Sequence, residues 1–181
     1  MQSPYILKTE RLGLRTWREN DLESLARMNA DPEVMRYFPS TLTKSKTEQM
    51  LQRLQQHFET HGYTYYAAES LDTREFMGFV GLAYQSYETA YTPFTDIGWR
   101  LKQEAWGKGY ATEAAKAVLI HAKENLQLKE IHAVTPLPNL GSERVMQKIG
   151  MTKIAEFEHP EVPEGHELRR CVLYRKVFEE D

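Results

Sequence analysis

The sequence has a single cysteine and no long apolar run. One cysteine, Cys171, among 181 residues excludes an internal disulfide and a metal site made of several cysteines, and it suits a reducing compartment. Nowhere do about 18 consecutive apolar residues occur, and the first residues lack the basic segment and apolar core of a secretory signal. We therefore expect a cytoplasmic protein that does not bind membranes.

An excess of basic residues is absent as well. The net charge is -3 and the pI is about 6.1, whereas domains that bind nucleic acid usually carry a basic face. Internal repeats, low-complexity tracts and linkers rich in Pro, Gly or Ser are also lacking. With 41% hydrophobic residues the chain can form one substantial core. We predict a single domain over residues 1–181 and no nucleic-acid partner.

Hydrophobic periodicity predicts strands and helices in a mixed order. A first strand is followed by two helices, of which the first begins with a capping box formed by Asn20 and Glu23 and the second ends at Gly62. The predicted strands cover residues 11–17, 63–69, 75–85, 95–101, 130–135, 152–158 and 168–177, and the predicted helices begin near residue 20 and cover 43–61, 111–125 and 142–149.

This order of elements indicates the fold class. The strand, helix and strand between residues 95 and 135 form a βαβ unit, in which the two strands are normally parallel. We predict an α/β (α+β) protein with three layers, αβα. Its mixed, mostly antiparallel sheet has about seven strands, with helices on both faces.

Two glycines separated by one residue lie at the strand-to-helix junction of this unit. Gly107 and Gly109 allow positive φ angles and a close approach of the backbone to a ligand, and the first N–H groups of the following helix are free to bind an anion. Lys108 adds a positive charge and Thr112 a hydroxyl group. The junction therefore indicates a phosphate site, with a tight turn that uses glycine only for its geometry as the alternative.

Two nucleotide-binding motifs do not fit this junction. A P-loop requires G-x-x-x-x-G-K-[ST], but Lys108 is followed by Gly109. The dinucleotide fingerprint G-x-G-x-x-G requires a third glycine where this chain has Thr112, and no early βαβ unit precedes it. A nucleotide-binding module is therefore disfavoured.

The stretch WGKGYA, residues 106–111, resembles the signature of the GNAT superfamily of acetyl-CoA-dependent N-acetyltransferases. That signature reads Arg or Gln, Gly, any residue, Gly, any residue, Gly or Ala, and only Trp106 departs from it. Together with the preceding IGWRL, the stretch is similar to the branch of ribosomal-protein alanine N-acetyltransferases, in which this departure is a variant.

Other segments extend the resemblance over nearly the whole chain. Residues 9–25 are similar to the opening strand and helix of the family. Residues 139–151, NLGSERVMQKIGM, match its N-x-x-S-x-x-V-x-x-K-x-G element. Residues 157–177 resemble the closing hairpin of many bacterial members, in which His is frequent where this chain has Cys171.

The resemblance implies acetyl-CoA as cosubstrate and no metal. It implies that the strand containing Trp99, Arg100 and Leu101 pairs through its backbone with the pantetheine arm and supplies an N–H to the thioester oxygen. Backbone donors aimed at developing charge are worth roughly 3 to 4 kcal/mol. Asn139 and Ser142 match positions near the pantetheine and sulfur. The residues implied to cradle the CoA pyrophosphate are Trp106, Gly107, Lys108, Gly109, Tyr110, Ala111 and Thr112.

The chemistry of acetyl transfer suggests catalytic residues. A protonated alkyl amine has a pKa near 10.4, so a general base must take its proton. Asp96, at the start of the strand before the glycines, is the candidate; the alternatives are a merely solvated carboxylate there and Glu88 as the base. Asn139 and Ser142 are candidates for assisting the departing thiol, although both are also ordinary helix N-cap residues.

Other reactive residues are better explained structurally. Tyr174 is a second candidate acid, but aromatic residues in strands more often belong to the core. Cys171 is followed by apolar residues typical of a buried strand, so we expect direct transfer in a ternary complex and no acetyl-cysteine. His57 and His61 lie four residues apart on a predicted helix, but no third metal ligand accompanies them.

The acceptor is an amine of unknown identity, either a small molecule or a protein N-terminus. Five acidic residues near the closing hairpin would attract a cationic acceptor, or they form only a solvated acidic loop: Glu156, Glu158, Glu161, Glu164 and Glu167. A homodimer is compatible with the sequence, which singles out no interface. The alternative function is a non-catalytic acyl-CoA-binding regulatory module.

Overall fold

One mixed sheet of eight strands forms the centre of the computed structural model, which describes residues 3–179. The strands lie in the order β1-β2-β3-β4-β5-β6-β8-β7. In chain order the elements are β1 (Leu7–Lys8), β2 (Leu12–Arg15), α1 (Leu22–Ala30), α2 (Lys44–His61), β3 (Tyr65–Ser70), β4 (Phe76–Gln85), β5 (Phe94–Leu101), α3 (Tyr110–Glu124), β6 (Glu130–Pro136), α4 (Leu140–Lys148), β7 (Thr152–Glu158) and β8 (Arg170–Val177).

The predicted fold class is confirmed. All seven predicted strands are present, and the sheet gains β1, whose two residues are too few for a periodic pattern. The predicted capping box is wrong in its residues. A short 3-10 turn over Glu19–Asp21 precedes α1, and the Asp21 carboxylate accepts a hydrogen bond of 2.8 Å from the backbone N–H of Arg18. Asn20 and Glu23 are exposed.

Alternation along the strands divides the core between the two faces of the sheet. On one face, Phe79 of β4 packs with Leu25 of α1 and Leu51 of α2. On the other face, Val80 of β4 packs with the small residues of α3, such as Ala115. The side chains of β4 and β5 therefore point alternately toward α1 and α2 or toward α3 and α4.

Among the strands within residues 3–179, β5 and β6 are the one parallel pair, and their pairing is very short. The two strands pair only where Asp96 lies opposite His132. Beyond that pair, β5 stays bonded to β4 as far as Leu101, while β6 stays bonded to β8 as far as Pro136. The strands thus diverge, and backbone N–H and C=O groups of β5 that point away from β4 face a gap.

None of the helices within residues 3–179 combines the length with the apolar character needed to span a lipid bilayer.

Candidate active site

A cavity of about 660 Å³ lies at the gap between β5 and β6 and is lined from both faces of the sheet. From the α3 and α4 side it is lined by Trp99, Leu101, Ala105, Trp106, Gly107, Gly109, Tyr110, Ala111, Thr112, Val134, Thr135, Pro136, Asn139, Gly141, Ser142, Val145, Met146 and Lys148. From the α1 and α2 side it is lined by Glu33, Val34, Arg36, Tyr37, Phe38, Met50, Tyr65, Phe79, Asp96 and Arg100. A single space therefore connects the glycine turn with Asp96.

Both glycines of the turn adopt left-handed backbone conformations. Gly107 has φ +70°, and Gly109, the N-cap of α3, has φ +81°. A Cβ atom added at Gly107 would meet nothing within 4 Å, so the turn is open to a ligand. The first N–H groups of α3 lack intrahelical partners and lie at the positive end of the helix dipole. These features fit a phosphate group.

Arg11 holds the turn against the sheet. Its guanidinium forms an ion pair of 2.6 Å with Glu113 in the first turn of α3 and donates to the Lys108 carbonyl at 2.9 Å. The guanidinium also lies 4.2 Å from the centre of the Tyr110 ring. Because Arg11 neutralises Glu113, the acidic residue does not oppose an anion at the helix start. Arg11 is 102 residues from Glu113 along the chain, so no local sequence pattern predicted their contact.

The side chain of Lys108 points away from this cavity. Its ammonium donates at 2.8 Å to the Glu104 carbonyl, and Lys108 is not among the cavity-lining residues. Trp106 lines the cavity, and its indole N–H donates at 2.9 Å to the Leu101 carbonyl, which joins the turn to the end of β5.

Asn139 and Ser142 meet Trp99 across the gap. Asn139 caps α4, accepting from the backbone N–H of Ser142 at 3.2 Å, and its amide donates to the Ser142 hydroxyl at 3.0 Å. The Trp99 indole donates to the same hydroxyl at 3.3 Å. Because Ser142 Oγ accepts from both groups, its own proton can be donated into the cavity.

Asp96 lies buried at the point where β5 and β6 part. Its Oδ1 accepts from the Tyr65 hydroxyl at 2.6 Å, and its Oδ2 accepts from the Gln85 side-chain amide at 3.0 Å. Burial raises the pKa of Asp96 to about 7, although bonds from Tyr65, Gln85 and the Ala83 backbone oppose the shift. The carboxyl group can therefore change its protonation near neutral pH.

Tyr65 and Gln85 were not predicted as site residues. They lie 31 and 11 residues from Asp96 along the chain, on β3 and β4. The signal that could have found them is the antiparallel register, which places Ala83 opposite Asp96 and Gly81 opposite both Tyr65 and Gly98. That register cannot be obtained from the periodicity of one strand.

The structure keeps the other candidate residues away from the cavity. Glu88 is exposed in the loop between β4 and β5. Tyr174 donates to Glu143 at 2.7 Å, and burial raises the pKa of the Cys171 thiol to about 11. His57 uses both ring nitrogens, toward the Tyr63 carbonyl and the Tyr84 N–H. Within residues 3–179, no three His, Cys, Asp or Glu side chains come together as metal ligands.

The acidic segment near the closing hairpin is also outside the cavity. Glu156 pairs with Lys153 at 2.6 Å and Arg170 at 2.8 Å, and Glu158 pairs with Arg169 at 3.2 Å. None of the five glutamates lines the cavity. Part of their charge is therefore neutralised locally.

The sequence and the fold place this chain in a known family. The family model described as "Acetyltransferase (GNAT) domain" matches residues 11–152. The chain therefore belongs to the GNAT acetyltransferases, which use acetyl-CoA as acetyl donor. The uncharacterized protein YkkB of Bacillus subtilis (strain 168) is 32% identical over 146 residues, covering 80% of this chain and 84% of YkkB.

Solved structures share the fold over nearly their full lengths. A GNAT-family acetyltransferase from Bacillus anthracis is 27% identical and has a TM-score of 0.77. The alignment covers 94% of this chain and 97% of that chain. RimL, a ribosomal L7/L12 alpha-N-protein acetyltransferase solved in complex with coenzyme A, also has a TM-score of 0.77. RimL is 17% identical, and the alignment covers 97% of this chain and 99% of the RimL chain. At this identity the likeness shows the fold alone.

The raised pKa of Asp96 predicts a pH-dependent effect of Asp96→Asn on stability. The folded protein holds a proton at Asp96 up to about pH 7, whereas in the unfolded chain the carboxyl has its ordinary pKa of 3.8. Between these values unfolding releases a proton, so this group makes the wild type less stable as pH rises. Urea unfolding from pH 5 to 8 measures the free energy of unfolding of both proteins. The difference between them should change in favour of Asp96→Asn by up to about 1.4 kcal/mol per pH unit and should level off above pH 7.

The exposed carboxylate of Asp72, in the turn between β3 and β4, provides the control. Asp72→Asn measures the effect of the same chemical change at an exposed position, and the trend of Asp96→Asn is compared with it. A stability difference between Asp96→Asn and wild type that stays constant over this range would mean that Asp96 is already ionised at pH 5.

Proposed function

We propose that this protein transfers an acetyl group from acetyl-CoA directly to a primary amine in a ternary complex. The observation that carries the proposal is the single cavity connecting the open N-terminus of α3 with the buried carboxyl group of Asp96. An anion-binding turn at one end and a titratable group at the other match the two ends of this reaction.

Backbone groups and the glycine turn are proposed to hold the donor. Acetyl-CoA supplies the activated acetyl group. The N–H groups of residues 107–112 bind its pyrophosphate, and the unpaired backbone edge of β5 beyond Asp96 binds its pantetheine arm as a neighbouring strand would. This edge also offers N–H donors to the thioester oxygen, where negative charge develops.

Asp96 is proposed to accept the proton of the amine. A general base works best when its pKa lies near the working pH, and burial brings the Asp96 carboxyl to about 7. Tyr65 and Gln85 orient the carboxylate through their hydrogen bonds. They also fix which side of the carboxyl group remains open to the cavity.

Ser142 is proposed to assist the departing thiol. Trp99 and Asn139 both donate to its hydroxyl oxygen and so direct the hydroxyl proton away from themselves. A thiol has a pKa near 8.5, so a weak donor is enough. The N-cap role of Asn139 positions this hydroxyl, and the structural and catalytic interpretations of these residues are compatible.

The acceptor is proposed to be a small amine or a protein N-terminus, since RimL, which shares the fold, is a ribosomal L7/L12 alpha-N-protein acetyltransferase. A cytoplasmic location fits this proposal, as acetyl-CoA and ribosomal proteins are both found there. We propose no role for nucleic acid or membrane.

A thiol-release assay with acetyl-CoA and a panel of amines and N-terminal peptides tests the proposal. At least one acceptor should release free thiol. Asp96→Asn should lower kcat/KM by about 100-fold or more, the usual contribution of a general base, while Asp72→Asn should not. In the wild type, kcat/KM should rise with pH up to about 7 and show an inflection there that Asp96→Asn lacks.

Binding of CoA without thiol release from any acceptor would favour the non-catalytic regulatory module. Equal activity of Asp96→Asn and wild type would remove Asp96 from the mechanism.

Gly109→Val provides a test of the phosphate turn, with Gly62→Val as a matched control. Gly109 has φ +81° and ψ 4°, and Gly62, at the end of α2, has φ +76° and ψ 3°. Each substitution should cost about 1 to 2 kcal/mol because valine is strained in this conformation. Only Gly109→Val should abolish the stabilisation of the protein by acetyl-CoA in thermal-shift measurements, because its side chain crowds the ligand.

The two variants must be compared with acetyl-CoA, CoA and ATP at the same concentrations. Unchanged affinity of Gly109→Val for acetyl-CoA would place the pyrophosphate elsewhere.

A further inference from the structure

Arg100 places a positive charge in the part of the cavity that faces α1 and α2. Its Nη1 donates to the Asn29 side-chain oxygen at 2.7 Å. The guanidinium carbon lies 4.1 Å from the centre of the Phe38 ring and 5.1 Å from that of Phe79. The neighbours of this cation are thus two aromatic rings, one neutral amide and the Met50 sulfur, which lies 4.0 Å from Nη1.

The guanidinium has hydrogen-bond donors left over. Its Nε is buried without an acceptor in the described part of the chain, and no carboxylate within residues 3–179 forms an ion pair with Arg100. Glu33, the nearby acidic residue of the cavity wall, pairs instead with Arg36 at 3.6 Å. Burial lowers the pKa of Arg100 to about 10, so the side chain stays charged at neutral pH.

Such an arrangement is costly unless something compensates for it. A half-buried charge without a counter-ion, such as Arg100, and a buried N–H without an acceptor, such as its Nε, both destabilise a folded protein. Nε has almost no accessible surface, whereas Nη2 has no hydrogen-bond partner within residues 3–179. A ligand carboxylate that binds the guanidinium through Nη2 would supply the missing charge.

The position of Arg100 relative to Asp96 indicates which substrate carries that group. Asp96, Gly98 and Arg100 alternate along β5 and lie on the same face, so the Cα atoms of Asp96 and Arg100 are about 13 Å apart. The Tyr65 ring covers Gly98 between them, where an added Cβ would come within 2.9 Å of it. The acidic group of Asp96 and the basic group of Arg100 thus lie at two ends of the cavity wall that β5 forms.

We propose that Arg100 binds a carboxylate of the acceptor, so that the preferred acceptors are amines that also carry a carboxylate group. This inference rests on the proposed function and specifies its acceptor class. The amine lies toward Asp96 and the carboxylate toward Arg100. Simple alkylamines and polyamines, which lack the anionic group, are poor acceptors.

The donor is a less suitable partner for this side chain. The glycine turn leads into α3, which packs on the opposite face of the sheet through Ala114, Ala115 and Val118. The Arg100 side chain lies on the face of α1 and α2, next to Asn29, Phe38 and Met50. The pyrophosphate site and the Arg100 site are therefore separate.

Matched pairs of acceptors test the proposal. Alanylalanine, alanylphenylalanine, β-alanine and 4-aminobutyrate are each compared with the corresponding carboxamide, together with the diamine putrescine. Thiol release gives kcat and KM, and calorimetry in the presence of saturating CoA gives binding without turnover. The variants are Arg100→Gln and Arg100→Lys, with Arg53→Gln, an exposed arginine of α2, as control.

In the wild type and in Arg53→Gln, the best acid should be bound or used at least tenfold better than its carboxamide, mainly through a lower KM. Arg100→Gln should lose this preference, and Arg100→Lys, which keeps the charge but not the planar fork, should retain part of it. Affinity for CoA should stay unchanged in both Arg100 variants, which also shows that they are folded.

Three results would overturn the proposal: no binding or use of any acid, equal treatment of acids and carboxamides by the wild type, or a preference that survives in Arg100→Gln. A loss of CoA affinity in Arg100→Gln with an unchanged preference would assign the side chain to the donor. If the wild type does not bind acetyl-CoA, the proposed function fails, whereas calorimetry with the acids in the absence of CoA still decides the role of Arg100.

Discussion

The site depends on the early separation of β5 from β6. The two strands pair at Asp96 and His132 and nowhere beyond. After that pair, β5 stays hydrogen-bonded to β4 and β6 stays hydrogen-bonded to β8, so the two strands diverge. The separation leaves part of the β5 backbone without a partner in the centre of the sheet, a position where backbone groups are almost always bonded. It also opens one cavity to both faces of the sheet, as the proposed approach of a donor and an acceptor from opposite sides requires. The Trp99 indole and Ser142 bridge the gap and keep its two walls together.

The same strand distributes charge along the cavity. Its first half carries Asp96, which burial keeps near its titration point at neutral pH, and its second half carries Arg100, which stays protonated. Neither forms an ion pair with the other. Asp96 is surrounded by neutral donors, and Arg100 by aromatic rings and an amide. A buried and a half-buried group of opposite charge, held apart in this way, provide little stability. The proposed acceptor, which meets both groups, explains their arrangement better.

The order of elements and the chemistry of the turn could be predicted from the sequence, because both are local. Period-2 and period-3.6 patterns located the strands and helices, and the strand-helix-strand order correctly predicted that β5 and β6 are parallel. The glycines at 107 and 109 have the positive φ angles that their positions suggested. The short extent of the β5–β6 pairing could not be predicted, since it depends on which neighbouring strand each of the two remains hydrogen-bonded to. For the same reason the contacts of Asp96 with Tyr65 and of Arg11 with Glu113 required the register between distant segments.

A crystal structure of the protein with acetyl-CoA and a non-reactive acceptor analogue would test the account most directly. We expect the pyrophosphate at the N–H groups of residues 107–112, the pantetheine arm along the open edge of β5, and the thioester on the side of the sheet gap that Ser142 lines. The analogue should enter from the side of α1 and α2. A pyrophosphate bound away from the glycine turn, or a gap between β5 and β6 that the arm does not enter, would contradict it.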